Sequence, residues 1–279
     1  MQFSDSDIIH YYDSTRSHYS YFWKLNEAHS LHYGYWDNST KSFTDALLKI
    51  NAVMADRVGI KDGMRVLDTG CGEGGSVAWL AAHFDMEVTG ITLSKKQCET
   101  GNALLASKNL RGKIEVANYC KTHFPDNHFD VVWAIESVCH ASDKRAYLKE
   151  MFRILKPGGR LVLADFFAKK ELNGAEQKAM NSWSHAWAVP SFESAERFAD
   201  AAKTVGFEEV NMEDISNHVV KSVKRLYRMF YIGLPGSLLY NILFPKTSTS
   251  GKRNVYSAYW QYNTFKKKLW QYQLVSLRK

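Results

Sequence analysis

The clearest alternation of apolar and polar positions begins at Val66-Leu67, a short apolar run that ends on Asp68. Glycines crowd the turn after it, Thr69-Gly70-Cys71-Gly72-Glu73-Gly74-Gly75-Ser76, and Val77-Ala78-Trp79-Leu80-Ala81-Ala82 then takes up a helical period. Glu87 to Leu93 reads as a second strand and Lys95 to about Asn109 as the helix behind it. Lys113 to Ala117 is the third strand. Phe129 to Ile135 is the fourth, apolar enough to be buried on both faces. A helix from Lys144 to Leu155 meets the stop Lys156-Pro157-Gly158-Gly159, and Arg160 to Phe166 forms the fifth strand. A helix Ser194 to Val205, a strand Phe207 to Met212 and a last strand Trp270 to Leu277 complete seven strands. Strands alternating with helices require crossovers, so the predicted class is α/β with a doubly wound, largely parallel sheet.

Three stretches stand outside that alternation: about 1–58, 168–190 and 218–268. In an open α/β sheet the ligand sits beyond the C-terminal strand ends, and these stretches are the natural lid there. The expected organisation is one domain over 1–279, with core segments 59–167, 191–217 and 269–279 under a discontinuous helical cap. A chain of 279 residues with 45% hydrophobic content can bury one large core with a cap, although length alone also permits two domains.

Charge and composition narrow the partners. Thirty-six Lys and Arg against 29 Asp and Glu give a net +7, with the run Lys266-Lys267-Lys268 read as a solvated edge. No appended binding module and no long basic face point to nucleic acid. Cys71, Cys98, Cys120 and Cys139 are far apart, without metal-ligand pairing, and fit reduced thiols in a cytoplasmic protein; no metal is expected. Met1-Gln2-Phe3-Ser4-Asp5 is acidic where a signal peptide is basic. The apolar segment 226–245 contains Arg228, Gly233, Pro235, Gly236 and Asn241, which argues against a continuous lipid-facing helix. It is suited either to covering a greasy pocket or to resting on a membrane surface. The sequence leaves both open, and a homodimer too.

The spacing Asp-x-Gly-x-Gly-x-Gly-Gly lacks the lysine of a phosphate loop and differs from the dinucleotide G-x-G-x-x-G. It resembles motif I of class I S-adenosylmethionine-dependent methyltransferases. Gly90-Ile91-Thr92-Leu93-Ser94-Lys95-Lys96-Gln97 is similar to the second-strand motif of the branch holding tocopherol, sterol, alkaloid N- and cyclopropane-fatty-acid methyltransferases. The resemblance implies a Rossmann-like seven-stranded sheet with an antiparallel edge pair, and S-adenosylmethionine as cofactor. It also implies roles for particular residues. Asp68 orients the glycine loop or receives the cofactor's amino group through water, and Gly70, Cys71, Gly72 and Gly74 let the methionine portion approach. Thr92, Leu93 and Gln97 stand where many relatives use an acidic residue on the ribose, while capping of the next helix accounts equally well for Ser94. Asn118 and Tyr119 follow the third strand at the adenine, Asn118 in place of the family's more usual Asp, and Ile135 ends the fourth strand. His10-Tyr11-Tyr12-Asp13 and His32-Tyr33-Gly34-Tyr35-Trp36 are similar to aromatic stretches folded over the cofactor, which selects Tyr12 and Trp36.

The chemistry expected from this resemblance is methyl transfer to a small apolar or amphipathic acceptor, of prenyl, sterol, quinone or alkaloid type, at carbon or nitrogen. Glu136 and His140 close the fourth strand at the spacing of the branch's glutamate–histidine pair and are the candidate bases. The alternative is that Glu136 caps neighbouring backbone and His140 packs under the lid. Trp183 and Trp187, with Tyr19 and Trp23, are candidates for the acceptor wall, a plain core role serving equally. Cyclopropane-type lipid modification and non-methylating chemistry by a cofactor-binding relative are the other readings; a hydrolase is excluded for want of a nucleophile elbow.

Overall fold

The structure, a computed structural model, describes the backbone of residues 3–22, 28–169, 172–243 and 249–279, and the side chains of these except 16–22, 236–243 and 249–255. Seven strands form one sheet: β1 (Arg65–Thr69), β2 (Glu87–Thr92), β3 (Lys113–Val116), β4 (Phe129–Ile135), β5 (Leu155–Ala168), β6 (Glu208–Asp214) and β7 (Trp270–Arg278). Their order is β3-β2-β1-β4-β5-β7-β6, with β7 antiparallel to both of its neighbours and the other pairings parallel. Successive side chains of the inner strands enter opposite cores. Val66, Val131 and Val162 pack toward α2 (Phe43–Val58), α3 (Gly75–His83) and α4 (Lys95–Ser107). Leu67, Val132, Leu161 and Leu163 pack toward α5 (Lys144–Ile154) and α7 (Ala195–Val205). Both faces are covered, which is why these strands read as continuous apolar runs.

The start of β5 and the end of β6 depart from expectation, β6 running to Asp214 where Met212 was expected. β5 begins at Leu155, not Arg160, because Leu155 already pairs with Phe129 while Arg160 pairs with Val131. Pro157-Gly158-Gly159 is therefore a bulge inside the strand, with Gly158 at φ +77°, not a connection before it. The segment holding Gly233, Pro235 and Gly236, read as unsuited to a continuous lipid-facing helix, is part of α8 (Ser216–Leu243), which runs through Pro235. Pro235 and the Tyr231 residue four positions before it both face solvent, where water can take the carbonyl the proline leaves unbonded.

The cap comprises α1 (Asp5–Phe22), a strap over 28–36, α6 (Gly174–Ala186), α8 and α9 (Thr249–Lys266). The strap is pinned along its length: the Tyr35 N–H donates to Ala46 O, the Trp36 N–H to His218 O, and the indole of Trp36 to Ser222 Oγ at 2.9 Å. Gly34 permits this closeness, since a Cβ there would lie 2.5 Å from that of Ala46. β1 and β4 lie side by side at the point where the strand order reverses. A crevice at their C-terminal ends is the position such folds reserve for ligands.

Candidate active site

A cleft of about 920 Å³ occupies that crevice. Its floor is Asp68, the Gly70–Glu73 turn, Thr92–Ser94 and Ile135–Ser137; Gln97 and Tyr119 flank it. Ile8, Ile9 and Tyr12 of α1 and residues 29–32 of the strap form the roof.

The glycines of the turn divide by what surrounds them. Gly70, Gly72 and Gly74 all hold positive φ, which explains glycine at each. A Cβ on Gly70 would meet Ser137 Cβ at 2.4 Å, and one on Gly74 would meet Ile114 Cδ1 at 2.5 Å. Those two are kept bare by neighbouring protein atoms, and Gly74 lies outside the cleft lining. A Cβ on Gly72 meets nothing within 4 Å, and Gly72 lines the cleft. It is the bare backbone offered to a ligand. Beside it Asp68 is buried, and burial lifts its carboxyl to about 8. Among the described residues no side-chain donor reaches that carboxyl, so the site favours a bound cation there. Cys71 also lines the cleft, its thiol pushed up by burial and so held neutral.

At the end of β2, Thr92 donates to Gln97 Oε1 at 2.7 Å, and both line the cleft with Leu93. Ser94 caps α4 by accepting the Gln97 N–H at 3.2 Å, and its hydroxyl donates to Asp13 Oδ1 at 2.8 Å, tying the roof helix to the floor. Asn118 is turned away. Its amide donates to Asp5 Oδ2 at 2.8 Å and its oxygen accepts the Cys120 N–H at 2.8 Å, so Ala117 and Tyr119 present the surface there instead. Trp36 also lies off the cleft, stacked on Phe43 and bonded to α8. Trp183 is fully buried among Phe166, Phe192 and Trp270. Trp187 lines a small second chamber with Tyr11 and Cys139. Trp23 and the side chain of Tyr19 lie outside the described residues.

That small chamber adjoins the cleft, and Tyr12, Leu31, Glu136 and His140 line both. Glu136 sits at the β4 end with φ +48°, and its Oε1 accepts the Tyr33 N–H at 2.6 Å and the Tyr272 hydroxyl at 2.8 Å. Burial raises its carboxyl to about 8 despite those two donors, so near neutrality it keeps its proton. His140 is buried on a 3₁₀ turn, Val138–His140. Its Nδ1 lies 3.3 Å from Ala188 O, a pure acceptor, which places the ring hydrogen on Nδ1. Nε2 is then a bare acceptor, 2.8 Å from the Tyr12 hydroxyl that donates to it. Burial lowers His140 to about 4, leaving it neutral. The turn itself is clamped: Lys144 Nζ donates to the carbonyls of Cys139 and Ala141, and Asp165 Oδ2 accepts the Cys139 N–H at 2.9 Å.

This arrangement, a glycine turn under an anion-capable Asp68 with a neutral histidine facing it, fits comparison with known proteins. Residues 67–163 match a family model described as a methyltransferase domain. The 27-O-demethylrifamycin SV methyltransferase of Amycolatopsis mediterranei is 34% identical over 191 residues, 68% of this chain and 70% of that protein. The chain belongs to the class I S-adenosylmethionine-dependent methyltransferases. A 2-methyl-6-phytyl-1,4-hydroquinone methyltransferase of Synechocystis is 35% identical over 196 residues, 68% of this chain and 61% of that one. The cyclopropane synthase MmaA2 from Mycobacterium tuberculosis shares the fold with TM-score 0.82 at 16% identity, covering 100% of this chain and 99% of its own.

In this methyltransferase the aromatic strap contributes through its upstream end. His29–His32 line the cleft, with His32 lowered to about 4 by burial, in place of the expected Trp36. Ile8 and Ile9 were also missed, and the signal for them was present as an adjacent apolar pair one turn before Tyr12. Ser137 is spent on the floor, donating to Thr69 O at 2.6 Å.

The clamp role of Glu136 makes a prediction. Glu136→Gln keeps an acceptor oxygen for Tyr33 and Tyr272 and should leave turnover within about tenfold. Glu136→Ala strands two buried donors at about 1–3 kcal/mol each. Calorimetry should show the Ala variant melting lower by roughly 2–4 °C per kcal/mol lost, and the Gln variant little changed.

Proposed function

We propose that this enzyme methylates a hydroxyl oxygen of a small, largely apolar acceptor, with His140 as the base. The observation that carries the reading is the neutral His140 Nε2 accepting a hydroxyl at 2.8 Å, at the boundary between the cleft and the small chamber. Tyr12 shows that this nitrogen accepts an O–H there, and an acceptor hydroxyl displacing Tyr12 takes the same bond. The expected acceptor atom therefore changes from carbon or nitrogen to oxygen. The rifamycin relative, named for a methyl group on oxygen, supports it.

The residues suit the cofactor. Bare backbone at Gly72 admits close approach, Asp68 offers a carboxylate to a cationic amino group, and Thr92, Gln97 and Tyr119 supply polar and flat surface along the remaining cleft. When bound, S-adenosylmethionine supplies an electrophilic methyl carbon on a sulfonium that departs as a neutral thioether. His140 Nε2 takes the hydroxyl proton as the new carbon–oxygen bond forms. The Nδ1 bond to Ala188 O and the clamp from Lys144 and Asp165 hold the ring so that only Nε2 faces the acceptor. Ile8, Ile9 and Leu31 exclude water from the cleft side.

Asp68 yields a pH prediction. Its pKa stands at about 8 in the free enzyme, and a cation bound beside it lowers that value. Binding then selects the ionised form, so cofactor affinity rises with pH up to about 8 and falls below it. At pH 7 calorimetry in buffers of different ionisation enthalpy should detect release of about one proton per cofactor bound. Asp68→Asn should abolish that release; unchanged release would remove Asp68 from the site.

The function itself is tested with the ¹³C-methyl cofactor and a phenolic acceptor beside its aniline and methyl-ether analogues. A product carbon resonating as a methoxy group, from the phenol alone, is expected. Label on carbon or nitrogen would overturn the reading.

A further inference from the structure

The net charge of this chain is not spread evenly. Residues 216–268 carry ten Lys and Arg and no Asp or Glu, so the remainder holds 26 basic and 29 acidic residues, a net −3. The net positive charge of the protein therefore comes from residues 216–268.

The described residues of α8 show how part of it is displayed. Lys221, Lys224, Arg228 and Tyr231 are all exposed and recur at intervals of three and four, one face of a helix. At the far end of this stripe Ile232 is 70% exposed and Tyr231 53%. Tyr256 of α9 joins them, its ring 5.9 Å from Phe230, itself packed on Tyr231. Three of the five exposed large apolar side chains among the described residues are thus on this hairpin. They do not cover the cleft, whose roof is α1 and the strap.

We propose that the α8 face docks on an anionic lipid bilayer, with Lys224 and Arg228 on the headgroups and Tyr231 and Ile232 inserted at the interface. The two observations complement each other. Exposed cations such as Lys224 and Arg228, in a segment whose sequence holds no Asp or Glu, are attracted to a negative surface, and a strongly exposed isoleucine beside an exposed tyrosine is suited to the boundary of headgroup and acyl chain. A nucleic acid would use the cations and leave Ile232 in water. Among the described residues no helix is long and apolar enough to cross a membrane, so the association is peripheral. It also sets the methyltransferase site near the bilayer, because α9 packs against α1 of the roof. The docking stands independently of which acceptor atom is methylated.

The test is co-sedimentation of the full chain with vesicles of phosphatidylcholine mixed with phosphatidylglycerol, and with vesicles of phosphatidylcholine alone. Binding to the mixed vesicles only, weakening as salt is raised, is expected. Each near-surface cation contributes about fivefold, so the double variant Lys224→Glu, Arg228→Glu should weaken binding on the order of a hundredfold or more. Both side chains are exposed, and circular dichroism and the activity on a soluble acceptor should be unchanged. Ile232→Ser should cost several-fold on the same vesicles while keeping the salt dependence. Absence of binding to the mixed vesicles overturns the proposal, as does binding indifferent to the charge reversals. Retention on a duplex oligonucleotide, with none on vesicles at the same ionic strength, also overturns it.

Discussion

His140→Ala should lower kcat by about 10²- to 10⁴-fold, the range for loss of a positioned base, and leave the dissociation constant of the cofactor within a few-fold. The reason is geometric. His140 lines the cleft, but its two ring nitrogens are committed to Ala188 O and to the hydroxyl at Nε2. Removing the ring empties the acceptor side without touching the Gly72 turn. His140→Gln keeps a polar group but no basic nitrogen, and should be impaired similarly. A histidine in water would give an acid limb near its ordinary value of 6.5. Burial lowers this one to about 4, so kcat at saturating cofactor should stay flat as pH falls through 6 and decline only nearer 4. A limb near 6.5 would contradict the burial of the ring, and a variant that loses cofactor affinity in proportion to rate would make His140 a structural residue.

Gly72→Val should leave a folded chain that binds the cofactor at least on the order of a hundredfold more weakly. An isopropyl group there projects into open cleft, and displacing a ligand from a backbone it touches forfeits roughly 3 kcal/mol or more. The substitution also strains the backbone, because Gly72 has φ +55°. Gly158→Val separates the two effects: Gly158 has φ +77°, open surroundings and a place in the β5 bulge. Calorimetric titration should find binding lost in the first variant and kept in the second, with both melting somewhat lower than the parent. Equal affinity in the two would move the cofactor off the Gly72 turn.

The sheet was legible because its strands carry the period of their burial. Val66 and Leu67 alternate between two apolar cores, so β1, β2 and β4 were located almost to the residue. The bulge of β5 was not, since Pro157-Gly158-Gly159 is the same signal whether a chain leaves a sheet or loops within one. Whether a helix continues through Pro235 was open for a related reason: the penalty for an internal proline depends on whether solvent reaches the freed carbonyl, which the sequence does not state. At the site, cleft-lining residues fixed by the backbone of a strand end were legible, among them Asp68, Thr92 and Ile135, as was His140 on the turn after β4. Residues whose direction depends on tertiary partners were not. Asn118 turns to Asp5, and Trp36 turns to Ser222. Glu136 had the right position, yet the two hydrogen bonds it accepts from Tyr33 and Tyr272 come from segments more than a hundred residues away on either side. The cation stripe on α8 could be read in the sequence as an absence of Asp and Glu; what the fold adds is that Lys221, Lys224 and Arg228 share an outward face.

The methyl donor is expected to lie on the Gly70–Gly72 turn with its amino-acid end at Asp68. A crystal structure with S-adenosylhomocysteine tests this most directly. Ligand density running from Asp68 past Gly72 toward Gln97 and Tyr119, with His140 across the cleft, is the expected result. A turn closed by protein side chains, with the nucleoside bound elsewhere on the molecule, would contradict it.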